Sequence, residues 1–181
     1  MTTSQPGADN AAIDACLAQL GRGELQAMAD LYELTHSAVY GFALSILKHT
    51  EDAQDVAQDV YLHLYRSAGS YRSHGKPMAW LLTVTRHLAL DRLRTRGKVI
   101  SLEERQEGQL PSSEEMESDD RLVLRSLLEM LGQEERQVIT LHALAGLKHR
   151  EIARILDLPL ATVLSKYSRG MKKLQLAWKE S

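Results

Sequence analysis

The sequence predicts an all-α protein made of two small helical domains joined by an acidic, flexible linker. The composition favours helices, because Ala, Leu, Glu, Gln, Arg and Lys dominate the 181 residues, whereas aromatic residues make up 5% and there are four prolines. Apolar residues recur at helical spacing in both halves of the chain. Residues 101–120, between the halves, lack this periodicity and are rich in acidic side chains.

The N-terminal half is expected to begin with a tail and the start of a first helix in residues 1–23. A long helix from around Leu25 to Lys48 follows, since Leu31, Ala38 and Phe42 lie at helical spacing. Thr50 is placed to cap the next helix, whose acidic first turn suits the positive end of the helix dipole.

This next helix has an apolar face and an acidic face. We expect the packed face to contain Ala53, Val56, Ala57, Val60, Tyr61 and Leu64. The opposite stripe contains Asp52, Asp55, Asp59, His63 and Arg66. On its own, such a stripe is more typical of a solvated surface than of a binding site.

A Gly- and Ser-containing loop, SAGSYRSHGK, precedes Pro77, a residue suited to the first position of a helix. The helix that follows should pack through Met78, Leu81, Leu82, Thr85, Leu88, Ala89 and Leu93. Its other side carries Thr83, Arg86, His87, Leu90 and Arg94. Basic side chains along one face can follow a phosphate backbone or contact exposed bases.

The C-terminal half contains a predicted helix-turn-helix, LKHREIARILDLPLATVLSKYSRGMKKL. A short helix buries Ile152, Ala153 and Leu156, a turn at 157–159 follows, and Leu158 fills the angle between the helices. In the second helix the expected buried residues are Val163, Tyr167, Gly170, Met171 and Leu174. Polar and basic residues then face outward, as a DNA recognition helix requires, although helical hairpins without DNA-binding activity share this spacing.

Charge is distributed unevenly along the chain, although the formal net charge is −2. From Arg86 to Lys98, five basic residues face one acidic residue, and from residue 145 to the end eight basic residues face three acidic ones. Eight acidic residues and one arginine occupy 101–120. This pattern is consistent with two phosphate-contacting surfaces on a connector that nucleic acid repels.

The composition also argues against several protein classes. No apolar run is long enough to span a membrane and no signal peptide is recognisable, so we expect a cytoplasmic protein. The single cysteine, Cys16, is expected to be a small buried apolar side chain. Only one ExxH pair exists, Glu33 and His36. His142 and His149 lie seven positions apart, but we expect the break at Gly146 to separate them and interpret both as ordinary surface or core histidines. We therefore expect no metal, no cofactor and no enzymatic activity.

Two segments resemble the extracytoplasmic-function sigma factors of RNA polymerase. HTEDAQDVAQDVYLHLYRS with AWLLTVTRHLALDRLR resembles region two, and LGQEERQVITLHALAGLKHREIARILDLPLATVLSKYSRGMKKL resembles region four. The resemblance implies domain bounds of 24–98 for region two, 99–120 for the linker and 121–181 for region four. It also implies partners, namely core RNA polymerase (its β′ clamp helices and β flap), promoter DNA and an anti-sigma factor.

The resemblance assigns roles to individual residues. The polymerase-docking face would comprise Asp52, Asp55, Gln58, Asp59 and Leu62. The minus-ten element, as a single strand, would contact the loop Ser70 to Lys76, with Tyr71 stacking on a base, and the residues Tyr71, Lys76, Arg86, His87 and Arg94. The minus-thirty-five element, as duplex, would contact Thr162, Ser165, Lys166, Arg169, Lys172 and Lys173. His87 and Leu164 depart from the family pattern at positions that bear on promoter sequence.

Three other functions are compatible with parts of the sequence. A stand-alone helix-turn-helix regulator would bind duplex DNA tightly without polymerase, whereas a sigma factor would bind weakly until polymerase is present. A sigma-like decoy for an anti-sigma factor would not need the basic recognition helix that this chain has. A di-iron enzyme would need a second ExxH.

Overall fold

The computed structural model describes residues 6–100 and 129–180, with side chains described at 10–97 and 129–179. Within these ranges the chain forms seven α-helices and one 3₁₀ turn at Ala68–Ser70, with no strand, so the all-α prediction is confirmed. None of the described helices combines the length and apolar character needed to cross a bilayer. The helices are α1 (Pro6–Gly21), α2 (Ala27–Leu47), α3 (Thr50–Ser67), α4 (Pro77–Ile100), α5 (Gln133–Ala145), α6 (His149–Leu156) and α7 (Leu160–Glu180).

Helix α2 lies at the centre of the N-terminal unit, which comprises α1 to α4. It packs against the other three helices and buries Leu31, Val39 and Phe42 completely. Thr35 is also fully buried, because its hydroxyl donates to the Leu31 carbonyl oxygen at 2.6 Å and lies 2.9 Å from the Tyr61 hydroxyl. Its polar group is thus satisfied inside an apolar core.

The junction between α2 and α3 differs by one residue from the sequence prediction. Lys48 ends α2 in a left-handed conformation, and its N–H donates to the Leu44 carbonyl. His49, not Thr50, caps α3, since its ring Nδ1 accepts a hydrogen bond from the Asp52 N–H at 3.4 Å. The predicted apolar face of α3 is confirmed, because all six of its residues are buried.

Helix α1 is a complete, packed helix, although the sequence predicts only a tail and a helix start in residues 1–23. Ile13, Cys16, Leu17 and Leu20 are buried at the spacing i, i+3, i+4, i+7. The helical spacing of these four residues could have predicted the helix from the sequence. The many alanines around them, however, reduce the difference in polarity between the buried and the exposed face of α1. Cys16 is buried as expected, and this burial raises the pKa of its thiol.

Helices α5 to α7 form the C-terminal unit. The Gly132 N–H, at the start of α5, donates to the Glu135 carboxylate at 3.1 Å. At Gly170 of α7 an ideal Cβ would lie 2.5 Å from Ile139 Cδ1, so the lack of a side chain lets α7 approach α5 closely. Val138 of α5 and Val163 of α7 are fully buried at the centre of this unit.

The two units pack against each other. Helix α5 lies against α2, and α6 contacts α4, so the buried side chains of both units form one continuous apolar cluster. Helix α4 continues to Ile100, so residues 99 and 100, which were predicted to begin the linker, are helical. Residues 101–120, the acidic part of that prediction, lie outside the described residues.

Candidate nucleic-acid and polymerase interfaces

Helices α6 and α7 form the helix-turn-helix that the sequence predicts. Asp157 ends α6 in a left-handed conformation, and the Leu158 N–H donates to the Ala153 carbonyl at 2.9 Å. Leu158, in the turn, is half-buried against the apolar core. The turn at 157–159 connects the two helices within three residues, and α7 then presents exposed side chains along one face.

The outer face of α7 carries groups suited to DNA. Ser165, Arg169 and Lys172 are exposed, and Thr162 is half-buried in the first turn of the helix. Hydroxyls and a guanidinium near the N-terminal end of a recognition helix can reach base edges in the major groove, and lysines farther along can reach phosphates. The structure therefore keeps most of the predicted recognition residues accessible.

The expectation that Lys166 simply faces outward needs correction, whereas Lys173 is exposed but forms an ion pair. The ammonium of Lys166 lies 2.8 Å from a Glu134 carboxylate oxygen, and its side chain is only 25% exposed. Lys173 pairs with buried Glu135 at 2.7 Å, and that hydrogen bond is the main cause of the lowered pKa of the Glu135 carboxyl. Both lysines thus tie α7 to the acidic first turn of α5, a contact that the spacing within α7 could not reveal.

A cluster of rings joins the three helices of the C-terminal unit. His142 and His149 stack with centroids 4.9 Å apart, and both meet Tyr167 edge to face at about 5 Å. His142 Nδ1 lies 2.9 Å from the Leu147 carbonyl oxygen, whereas His149 Nε2 is shielded from solvent and has no hydrogen-bond partner among the described residues. The two histidines are not separated by the Gly146 break, because the Gly146 turn folds α6 back against α5.

Lowering the pH is expected to destabilise the C-terminal unit. Burial, with a smaller contribution from His142, holds the pKa of His149 below its ordinary value of 6.5. The unfolded chain therefore takes up a proton at higher pH than the folded chain. The stability contributed by this ring is present above the ordinary pKa and is lost as the pH falls from there through the lowered pKa of the folded chain. Urea unfolding at about pH 7.5 and about pH 5.5 should show a smaller loss for His149→Phe than for the wild type. An identical pH dependence in both proteins would contradict this assignment.

The acidic stripe on α3 has two distinct parts. Asp52, with 13% of its side chain exposed, accepts hydrogen bonds from Arg92 at 3.0 Å and Arg96 at 2.8 Å. Asp55 is 55% exposed but also pairs with Arg92, at 2.6 Å. The hydrogen bond to Asp52 is the main cause of the raised pKa of the Arg92 guanidinium. Asp52 therefore holds α4 against α3.

The rest of the predicted docking face is accessible. Gln58 and Asp59 are exposed, and the side chain of Leu62 is 52% exposed although it is apolar. Tyr65, which sequence reasoning did not select, is 55% exposed one turn farther along α3. An acidic edge beside exposed Leu and Tyr is typical of a protein-binding surface.

Asp52→Ala is expected to destabilise the N-terminal unit by about 1–2 kcal/mol, because it removes two charge-assisted hydrogen bonds and leaves part of their cationic partners unpaired. Asp91→Ala is the matched control, since Asp91 pairs with exposed Arg94 and should contribute less than about 0.5 kcal/mol. Urea unfolding followed by circular dichroism measures both. A loss no greater than that of the control would show that the Asp52 contacts do not stabilise the fold.

The candidate minus-ten residues differ in accessibility. His87 and Arg94 are exposed, the latter paired with Asp91. The ring of Tyr71 packs on Trp80 with centroids 4.9 Å apart, and its hydroxyl donates to Asp14 Oδ1 at 2.5 Å. Burial raises the pKa of this tyrosine. The ring is therefore already packed, which limits the predicted stacking on a base to the part that stays half-exposed.

Lys76 and Arg86 contact the C-terminal unit. Lys76 pairs with Glu151 at 3.1 Å, and Arg86 donates to the Leu156 carbonyl at 3.4 Å. The sequence offered no signal for either contact, since the partners are 70 or more residues apart. Within the described part of the chain, no group of three or more His, Cys, Asp or Glu residues could hold a metal ion.

Comparison with known proteins identifies both units. The family model for Sigma-70 region 2 matches residues 31–99, and that for Sigma-70, region 4 matches residues 121–174. The ECF RNA polymerase sigma factor SigK of Mycobacterium sp. (strain KMS) is 32% identical over 171 residues, covering 90% of this chain and 89% of the relative. SigK of Mycobacterium ulcerans (strain Agy99) is 29% identical and covers 96% of each chain.

Solved structures show the same fold. The sigma factor RpoE of Bartonella quintana, in complex with the anti-sigma factor NepR, aligns with a TM-score of 0.65 at 24% identity over 87% of this chain and 96% of that chain. CnrH, in complex with the cytosolic domain of CnrY, aligns with a TM-score of 0.62 at 23% identity over 94% and 99%. The matches to both regions and to full-length relatives establish that this chain belongs to the sigma-70 family, as an extracytoplasmic-function sigma factor that directs promoter-specific transcription.

Proposed function

We propose that the chain reads a minus-thirty-five element as duplex through α7 and a minus-ten element as single strand through α4 and the loop before it. The observation that carries the proposal is the accessible face of α7, where Ser165, Arg169 and Lys172 are exposed behind a helix-turn-helix. A guanidinium can donate two hydrogen bonds to a guanine edge, which gives sequence discrimination, and lysine neutralises phosphate. Exposed His87 and Arg94 on α4 are the corresponding minus-ten contacts.

The docking face for core polymerase is the exposed part of α3, namely Asp55, Gln58, Asp59 and Leu62, which we assign to the β′ clamp helices. Asp52 contributes by holding α4 in place, since its carboxylate is engaged by Arg92 and Arg96. The C-terminal unit is assigned to the β flap. The protein then acts in the cytoplasm, where core polymerase meets promoter DNA.

An anti-sigma factor is the proposed restraining partner. RpoE, which shares this fold, was solved in complex with the anti-sigma factor NepR, and CnrH was solved in complex with the cytosolic domain of CnrY. Exposed Leu62 and Tyr65 beside acidic residues offer this partner the same surface that polymerase uses. Competition for one surface would keep the sigma factor inactive until the partner releases it.

Run-off transcription with purified core polymerase and fragmented genomic templates tests the proposed function. We expect discrete transcripts that depend on both the chain and the core enzyme. Omitting the chain is the control for transcription by core polymerase alone. Failure to initiate with the cognate core enzyme, together with tight duplex binding by the chain alone, would instead identify a stand-alone helix-turn-helix regulator.

A further inference from the structure

One carboxylate of α1 anchors the loop of residues 71–76, which precedes α4 and is called the minus-ten loop below. The Tyr71 hydroxyl donates to Asp14 Oδ1 at 2.5 Å, and the Ser73 hydroxyl donates to Asp14 Oδ2 at 2.7 Å. Burial raises the pKa of Tyr71, so its phenol keeps the proton that it donates. Each oxygen of Asp14 therefore accepts a hydrogen bond from a loop residue that lies 57 or 59 positions away along the chain.

Helix α1 also supports the chain just before this loop. At Gly21 an ideal Cβ would lie 2.9 Å from the carbonyl oxygen of Ala68, so α1 approaches the 3₁₀ turn closely because position 21 has no side chain. On the other side of the loop, the Tyr71 ring packs on Trp80 of α4 with centroids 4.9 Å apart. Tyr71 is thus held by α1 through its hydroxyl and by α4 through its ring.

The rest of the minus-ten loop has little packing to fix its conformation, since residues 72–76 are all exposed. The Ser73 hydroxyl oxygen also accepts a hydrogen bond from the Gly75 N–H at 3.3 Å, at a residue whose φ of 72° lies in the left-handed region. Asp14 therefore fixes Ser73, and Ser73 in turn holds the tight turn at Gly75. Hydrogen bonds to an ionised acceptor are stronger than those between neutral groups, which suits a carboxylate to this task.

We propose that Asp14 is a positioning residue for promoter recognition: it holds Tyr71 and Ser73 in the conformation that receives the minus-ten strand. The inference rests on the proposed contact between this loop and that strand. Asp14 lies before residues 31–99, which match the region 2 family model, so the family match assigns it no role. Both of its oxygens are engaged by the loop and its charge repels phosphate, so we assign it to the loop and not to direct DNA contact.

A loop that is fixed before binding discriminates better between bases than a mobile one. Ordering the loop on DNA costs free energy that a preformed loop does not lose at that step. A mobile loop can also adapt to a poorly fitting base, whereas a fixed loop leaves that base with unfavourable contacts. Helix α1 would therefore contribute to base preference from outside the interface.

Fluorescence of Trp80 tests whether Asp14 anchors the loop. The chain has two tryptophans, and Trp178→Phe removes the other one at a position that is 69% exposed. In that background we expect Asp14→Ala to shift the Trp80 emission to longer wavelength and to increase its quenching by acrylamide, because Tyr71 is released from the ring. Glu33→Ala is the matched control, since it removes an exposed carboxylate from α2. Emission of Asp14→Ala that matches this control would overturn the inference.

Base discrimination by the holoenzyme tests whether the anchored loop matters for promoter recognition. The probe is a promoter that gives a strong run-off transcript, premelted across its minus-ten element, with each non-template base replaced in turn. We expect Asp14→Ala to reduce the ratio of initiation rates between the best and the worst base by about fivefold at the position nearest the loop. Ratios for substitutions in the minus-thirty-five element should not change.

This ratio separates positioning from a general effect on the fold. A merely structural role would lower the active fraction and hence the rate on every template equally, which leaves the ratios unchanged. Tyr71→Phe keeps the ring but removes the hydroxyl, so it should cause part of the same loss. Adding Asp14→Ala to Tyr71→Phe should then cost less than adding it to the wild type, because the two residues share one hydrogen bond.

Three results would overturn the inference while the wild type still discriminates between bases: unchanged ratios in Asp14→Ala, a uniform loss over all templates, or losses in Asp14→Ala and Tyr71→Phe that are fully additive. If the wild-type holoenzyme shows no base preference within the minus-ten strand, the proposed contact of the loop with that strand fails, and this inference fails with it.

Discussion

Asp59→Arg is expected to weaken binding of the chain to core RNA polymerase by about 30-fold, which corresponds to about 2 kcal/mol. Asp59 is exposed, and none of the described side chains forms an ion pair with it, so the substitution reverses a charge on the proposed docking face without breaking a contact of the fold. Asp55→Arg would be harder to interpret, because Asp55 also pairs with Arg92.

Glu33→Arg is the matched control for this prediction, since Glu33 is an exposed acidic residue on α2 rather than α3. Binding of labelled chain to purified core enzyme, followed by fluorescence anisotropy, measures both variants. If Asp59→Arg binds core polymerase as tightly as Glu33→Arg does, the docking face lies elsewhere. A loss that disappears at high salt would indicate long-range attraction rather than a direct contact.

Arg169→Ala is expected to lower promoter recognition by about 1–3 kcal/mol, roughly 5- to 150-fold, and to relax the preference for one base pair of the minus-thirty-five element. Arg169 is exposed, whereas Lys166 and Lys173 are tied to Glu134 and Glu135, so the arginine is the strongest candidate for a direct base contact. Run-off transcription from templates that differ at single positions of the element measures the effect.

Lys179→Ala, an exposed basic residue in the last turn of α7, controls for a general loss of positive charge and should leave the base preference unchanged. A uniform loss over all templates in Arg169→Ala would contradict a base contact and would instead indicate a phosphate contact. Unchanged transcription from every template would remove Arg169 from the interface.

The helices and their buried faces were largely predictable. The prediction of a helix from around Leu25 to Lys48 agrees with α2 at Ala27–Leu47, and every apolar residue assigned to the packed face of α3 is buried. These features follow from the 3.6-residue period, which is a local property of the sequence. Helix α1 shows where this reasoning failed, since its buried residues follow the same period among alanines that made the segment look like a tail.

The sequence predicted which charged residues lie on the candidate interfaces, but not which of them are exposed and which are already paired within the fold. Asp52 and Asp59 stand on the same predicted stripe, yet Asp52 is held by Arg92 and Arg96 while Asp59 is exposed. Lys166 and Arg169 likewise belong to one predicted face, and only Arg169 is exposed. Each distinction depends on which neighbouring helix lies beside the residue, and spacing within a single helix carries no information about that.

Local periodicity, the turn residues and the two family-like segments were therefore enough to predict an all-α sigma factor with a helix-turn-helix at its C-terminal end. Tertiary structure alone decided that α6 lies against α4, with Glu151 on Lys76 and the Leu156 carbonyl on Arg86. The physical reason is range: a helix forms from contacts three and four residues apart, whereas the choice between a cation free for DNA and one already paired is made by residues 70 or more positions away.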